Sequence, residues 1–155
     1  MSRILGLILA VAVAGVLAAA SQAGNRSQQP SPRYGDLHVT KECSAYAGLA
    51  GQFCTIKSSN LKAIKVDSKV VYASAAGASS LDSDLVLYSG HDKAFGHVVL
   101  DFVSKTGLVT FAGGTGQLSG FHASVAVSFD PATGLWHWDG RFWFRPRGDD
   151  QDGYR

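Results

Sequence analysis

Clusters of basic residues are missing from this chain, and so is any marked excess of charge. Fourteen lysines and arginines stand against twelve aspartates and glutamates, scattered singly. That excludes the electrostatic footprint of a nucleic-acid binder, so no nucleic-acid partner is expected. Cysteine is scarce, two in 155 residues, with no further ligands at finger-like spacing. Neither a metal site nor a cofactor is expected from that pattern. Beyond the N-terminus no stretch carries a helical period. A glycine-rich turn, Gly113-Gly114-Thr115-Gly116, is present, but the lysine of a phosphate-binding loop is not.

The N-terminus is the exception to this even composition. Residues 1–23, MSRILGLILAVAVAGVLAAASQA, combine Arg3, an uncharged apolar run from Ile4 to Ala20, and small residues at Ser21 and Ala23. This reads as a secretory signal peptide cut after Ala23. A retained membrane anchor is the competing reading, since the run lies at the lower edge of what spans a bilayer. With cleavage, contact with a membrane is confined to export, and the location is extracellular or periplasmic. Removing Arg3 leaves 13 basic residues against 12 acidic ones, a nearly neutral mature chain. Residues 24–36 are polar with two prolines and read as a flexible leader. Residues 146–155 read as a polar tail, which leaves 37–145 for a single domain.

An even cysteine count in an exported chain favours a disulfide between Cys43 and Cys54. Closing a loop of about 12 residues contributes about 3 kcal/mol in the chain-entropy model.

From Phe53 onward the hydrophobic period is two. Residues 53–57, 69–75, 84–88, 97–102, 108–112, 118–129 and 135–144 read as strands, with turn residues between them. Links this short join antiparallel neighbours, because a parallel pair needs a crossover of a dozen or more residues. Seven or eight such strands predict an all-β domain, either an up-and-down barrel that closes on itself or a sandwich. Within it Gly113, Gly114 and Gly116 run into an alternating stretch from Leu118, not into a helix whose amides could hold an anion. They are expected to form a tight hairpin corner.

The stretch AFGHVVLDF, followed by GLVTFAGGTGQLSGFHASVAVSF and the terminal WHWDGRFWF, resembles the paired core strands of allene oxide cyclase and dirigent proteins. The resemblance covers residues 94–144 best and 53–93 only loosely. It implies an eight-stranded antiparallel β-barrel with a mostly apolar interior cavity. It also implies relatives that include cyclases of oxidised lipids, proteins that steer radical coupling and polyketide cyclases. No catalytic acid or pocket arginine of those enzymes finds a counterpart here, so the resemblance carries the fold and not the chemistry.

Alternation divides each strand into two faces. Phe121, Ala123, Val125, Val127 and Phe129 oppose His122, Ser124, Ala126 and Ser128; Trp136, Trp138, Gly140, Phe142 and Phe144 oppose His137, Asp139, Arg141 and Trp143. Either the apolar set fills the barrel and the polar set meets water, or the polar set lines a pocket and the apolar faces meet another subunit. The first arrangement is favoured, because burying three histidines, two aspartates and an arginine demands complete pairing. The polar face still supplies the candidates for acid–base chemistry: His97, Asp101, His122, His137 and Asp139. His122 and His137 could meet across neighbouring strands. Trp143 and Arg141 are the ligand-binding candidates, Trp143 as a stacking shelf. Three readings follow. The leading one is a secreted barrel that binds a small apolar ligand without catalysis. The others are a cyclase or isomerase with an inward acid or base, and a structural protein of the cell exterior whose barrel is filled. A homo-oligomer is compatible with all three.

Overall fold

A computed structural model describes residues 33–145. The signal peptide with its cut at Ala23, leader residues 24–32 and the tail 146–155 lie outside the described residues.

Eight strands run through the described chain: β1 Tyr34–Glu42, β2 Phe53–Ser59, β3 Lys69–Tyr72, β4 Ser80–Ser89, β5 Asp92–Asp101, β6 Thr106–Gly114, β7 Phe121–Asp130 and β8 Leu135–Phe144. Each pairs antiparallel with the next, and β8 returns to pair with β1 along Tyr34↔Trp143 to Lys41↔Trp136, closing the barrel. Closure leaves no sheet edge, the usual hazard of an all-strand protein. The barrel expected from the alternation is thus the one observed, and the sandwich is set aside. β1 had no counterpart among the strands read from the sequence. It starts inside the stretch read as leader, where Gly35 and Asp36 interrupt the apolar signal before Leu37 and Val39.

The apolar faces point inward. Trp138 and Phe121 are the largest fully buried side chains, packed with Phe111 at ring separations of 5.7 and 5.4 Å from it. Leu37, Ile56, Val70, Leu81, Leu85, Leu87, Val109 and Val125 complete a filled interior, each at most 1% exposed. At about 25 cal/mol per Å² of apolar surface removed from water, this column of side chains is the main source of stability. Inward glycine is needed where strands approach closely: a β-carbon on Gly140 would collide with the Ser124 carbonyl and Val125 Cα.

The turns show their chemistry directly. In the β5–β6 link Asp101 accepts hydrogen bonds from the amides of Val103 and Ser104 at 2.7 and 2.8 Å. In the β7–β8 link Asp130 accepts from Ala132 at 2.9 Å, and Gly134 takes a φ of +71°. In both links an Asp side chain caps the first amides of the turn.

Gly113, Gly114 and Gly116 lie in the hairpin link expected of them, which joins β6 to its antiparallel partner β7, but the link is longer than a tight corner. A short 3₁₀ turn, Gly116–Leu118, fills it, and β7 begins at Phe121 rather than at Leu118. The physical reason is the side chain of Leu118, which turns inward and is 0% exposed. Gly116 at φ +57° allows that reversal.

The antiparallel order sorts the links to the two ends of the barrel. The closed end carries the β2–β3, β4–β5 and β6–β7 links, with Leu61, Ile64 and Leu118 buried across the interior. The opposite end, the mouth, carries the β1–β2, β3–β4, β5–β6 and β7–β8 links. There a disulfide joins Cys43 to Cys54, as the cysteine count suggested, and fits a chain that matures in an oxidising compartment.

Candidate functional site

The polar residues picked out by alternation all lie on the outward faces of their strands, in separate places, with His137 half-buried and its Nε2 without a hydrogen-bond partner among the described residues. His97 sits on β5 between two carboxylates of β4: its Nδ1 lies 2.9 Å from Asp84 Oδ1 and its Nε2 3.0 Å from Asp82 Oδ1. The hydrogen bond to Asp84 is the main reason its pKa is raised; burial opposes it, and the charges of both aspartates add to the rise. Asp101 is not its partner but the cap of the β5–β6 turn, and the amides of Ser104 and Val103 hold its carboxyl below the usual range. Asp139 pairs with His38 of β1 at 2.7 Å, and Arg141 stands 3.8 Å from Asp36.

His122 and His137 do not meet. The register sets His122 opposite Trp143 and His137 opposite Ser128, at different ends of the β7–β8 pair. Equal spacing along a strand says nothing about which rung a residue occupies, so two strands with well-placed histidines can still hold them far apart. His122 stacks on Trp143, with centroids 5.6 Å apart and planes 10° from parallel. Its pKa is lowered by partial burial and by Arg145. Among the described residues no group of three or more His, Cys, Asp or Glu is placed to hold a metal ion.

The arrangement with most chemical character lies elsewhere, at the mouth. Lys41 ends the inward file Leu37, Val39, Lys41 on β1, and is 4% exposed. Its Nζ donates to the Tyr72 hydroxyl at 2.5 Å, and that hydroxyl in turn faces Cys54 Sγ at 3.5 Å. The ammonium also lies 5.2 Å from the ring centre of Trp138. No carboxylate among the described residues forms an ion pair with it; the neighbouring Glu42 accepts instead from the amide and hydroxyl of Ser44. Burial without a counter-ion lowers the Lys41 pKa to about 7. Burial likewise raises that of Tyr72, with Tyr46 adding to the effect, so its hydroxyl keeps its proton.

Tyr46, in the β1–β2 link, packs on Tyr72 with ring centres 4.9 Å apart. Its hydroxyl and the Trp138 indole N–H are buried with no hydrogen-bond partner among the described residues. Tyr46 also lines a groove of about 540 Å³ across the mouth, formed with Gly48, Leu49, Ala76, Gly77 and Phe102. One aromatic side chain is therefore common to a solvent-open groove and to a buried cluster holding an amine.

The sequence did carry a signal for Lys41. In Leu37-His38-Val39-Thr40-Lys41 the lysine falls on the apolar parity, which a strand reading would have marked as inward. Tyr72 and Trp138 fell on apolar faces and gave no sign of a polar neighbour, because only barrel closure brings β1, β3 and β8 round one axis.

No protein-family model matches this chain, and comparison with curated proteins and with solved structures likewise finds no match.

Proposed function

We propose that this chain is an exported β-barrel binding protein of the allene oxide cyclase/dirigent-like type, which takes a small molecule at its mouth. The apolar body of the ligand lies in the groove beside Tyr46, Leu49 and Phe102, and a hydrogen-bond-accepting head reaches toward Lys41. The observation that carries this reading is Tyr46, which lines that groove and packs on Tyr72, the hydrogen-bond partner of the buried Lys41 ammonium, while its own hydroxyl has no partner among the described residues. Binding sites characteristically combine an apolar wall with a few convergent polar groups. The family reading is supported by the closed antiparallel eight-stranded barrel that the resemblance implies. Export is supported by the N-terminal sequence and the disulfide.

The interior filled by Trp138, Phe111 and Phe121 moves the ligand from the barrel's centre to its end. That filling also favours the second reading, a structural or interaction protein of the cell exterior. The outward placement of His97, Asp101, His122, His137 and Asp139 takes support from a cyclase built on them.

Titration of the purified full chain with decanol and with decanoate, followed by tryptophan fluorescence, separates these readings. Saturable binding that weakens at least about tenfold in Tyr46→Ala, the loss expected on removing a central aromatic contact, supports a mouth site. Absence of saturable binding by either probe leaves the structural role.

A further inference from the structure

We propose that Lys41 is the attachment point for a carbonyl ligand, an aldehyde or ketone with an apolar tail, which it captures as an imine at the mouth of the barrel. This rests on the mouth-binding reading above and names the chemical class of its ligand.

A buried lysine commonly has one of two explanations, and neither applies here. A structural lysine is paired, whereas no carboxylate among the described residues forms an ion pair with Lys41. A snorkelling lysine brings its ammonium to water, whereas this side chain is 4% exposed, with the ammonium against the Tyr72 hydroxyl and the Trp138 ring. A methionine would occupy similar volume without the cost of desolvating a charge. What the amine adds over methionine is a lone pair and a hydrogen-bonding head, held by one short contact to Tyr72.

The chemistry needs a neutral amine. Burial lowers the Lys41 pKa to about 7, so a far larger share of molecules presents one at neutral pH than an ordinary lysine would. The Nζ lone pair adds to the carbonyl carbon, forming a C–N bond as the C–O π bond breaks. Loss of water from the carbinolamine then leaves the imine. The balance is Lys41–NH₂ + O=CHR → Lys41–N=CHR + H₂O, with both amine hydrogens leaving in the water. No oxidant or reductant takes part. The Tyr72 hydroxyl, protonated and within hydrogen-bond reach of Nζ, is positioned to assist the departing oxygen. The indole N–H of Trp138, whose ring centre lies 5.2 Å from Nζ, is a donor without a partner among the described residues. The apolar surroundings disfavour the return of water.

The test is reductive trapping. The full-length, disulfide-bonded protein is incubated at pH 7 with decanal and cyanoborohydride, which converts an imine into a stable secondary amine, and the adduct is located by peptide mapping. Label on Lys41 at least about tenfold above that on the exposed Lys57 and Lys62 is expected from its larger neutral fraction, with no corresponding adduct in Lys41→Met. Reversible decanol binding, measured in parallel, separates the two levels of the reading. Decanol binding with Lys41 unlabelled overturns the imine and leaves the mouth site standing. Failure of both decanol binding and Lys41 labelling overturns both.

Discussion

At the closed end of the barrel, Leu61, Ile64 and Leu118 fold across the interior at 3%, 2% and 0% exposure. At the mouth, the corresponding depth holds an ammonium, two phenols and the edge of a disulfide. The same wall of strands encloses both ends, so the difference comes from the links and from single inward positions. Leucine and isoleucine at the closed end remove apolar surface from water, and the Ser68 hydroxyl is buried there without a hydrogen-bond partner among the described residues. The mouth accepts a desolvated amine and two unpartnered donors, arrangements that lower stability. Where a fold departs locally from its most stable solution, the departure is a place to look for function.

The contrast can be broken first at the closed end. Leu118→Ala should open a cavity that the neighbouring strands cannot fill, lowering stability by about 2–5 kcal/mol. Urea unfolding followed by circular dichroism would measure it. If the loss were below about 1 kcal/mol, the end would be less tightly sealed than its burial indicates.

At the mouth, the largest loss should come from the disulfide. Replacing Cys43 and Cys54 together by alanine should lower stability by about 2–4 kcal/mol, largely by freeing the unfolded chain. It should also expose the β1–β2 link to limited proteolysis before any other segment is cut.

Lys41→Met should act in the opposite direction, raising stability at pH 7 by about 1–3 kcal/mol. The pH dependence distinguishes this from a general packing gain. The folded pKa of Lys41, about 7, lies below the ordinary 10.5. Below pH 7 both folded and unfolded chains carry the proton, and the burial penalty is complete. Between the two values the unfolded chain binds more protons, so stability rises with pH, and above 10.5 it levels off. Denaturant midpoints at pH 7, 8 and 9 should climb in the wild type, and the part of that climb due to Lys41 should vanish in Lys41→Met.

The smallest effect belongs to the outer wall. Asp84→Asn should lower the pKa of His97, readable by NMR titration, because the hydrogen bond to Asp84 is the main cause of its elevation. A raised histidine pKa stabilises the fold fully below the unfolded value near 6.5, and that contribution fades as pH rises through the folded pKa. In so exposed a pair the change at pH 5 should stay within about 0.5 kcal/mol. Any larger change would place the outer ion pairs among the determinants of the fold.

Legibility followed the physics of each feature. Alternation in residues 121–129 and 135–144 was strong enough to assign both strands and both faces, since water on one side and packing on the other leave a period of two. Leu118 was read as strand because its parity suits one. Only the curvature of the barrel end makes it a plug. That His122 and His137 could meet was open because sequence gives the residues on each strand but not the rung at which the strands meet. Lys41 was overlooked for a related reason, since Gly35, Asp36 and the neighbouring polar residues weaken the apolar period of β1.

The sequence alone determined the class of fold, the inward face of most strands and the pairing of two cysteines, because these depend on local period, turn residues and a count. Register, closure and the direction of each link were decided by the tertiary structure, since they depend on contacts between residues far apart in the chain. The buried amine belongs to that second group. Its surroundings come from β1, β3, β8 and the β1–β2 link, and they meet only when β8 closes against β1.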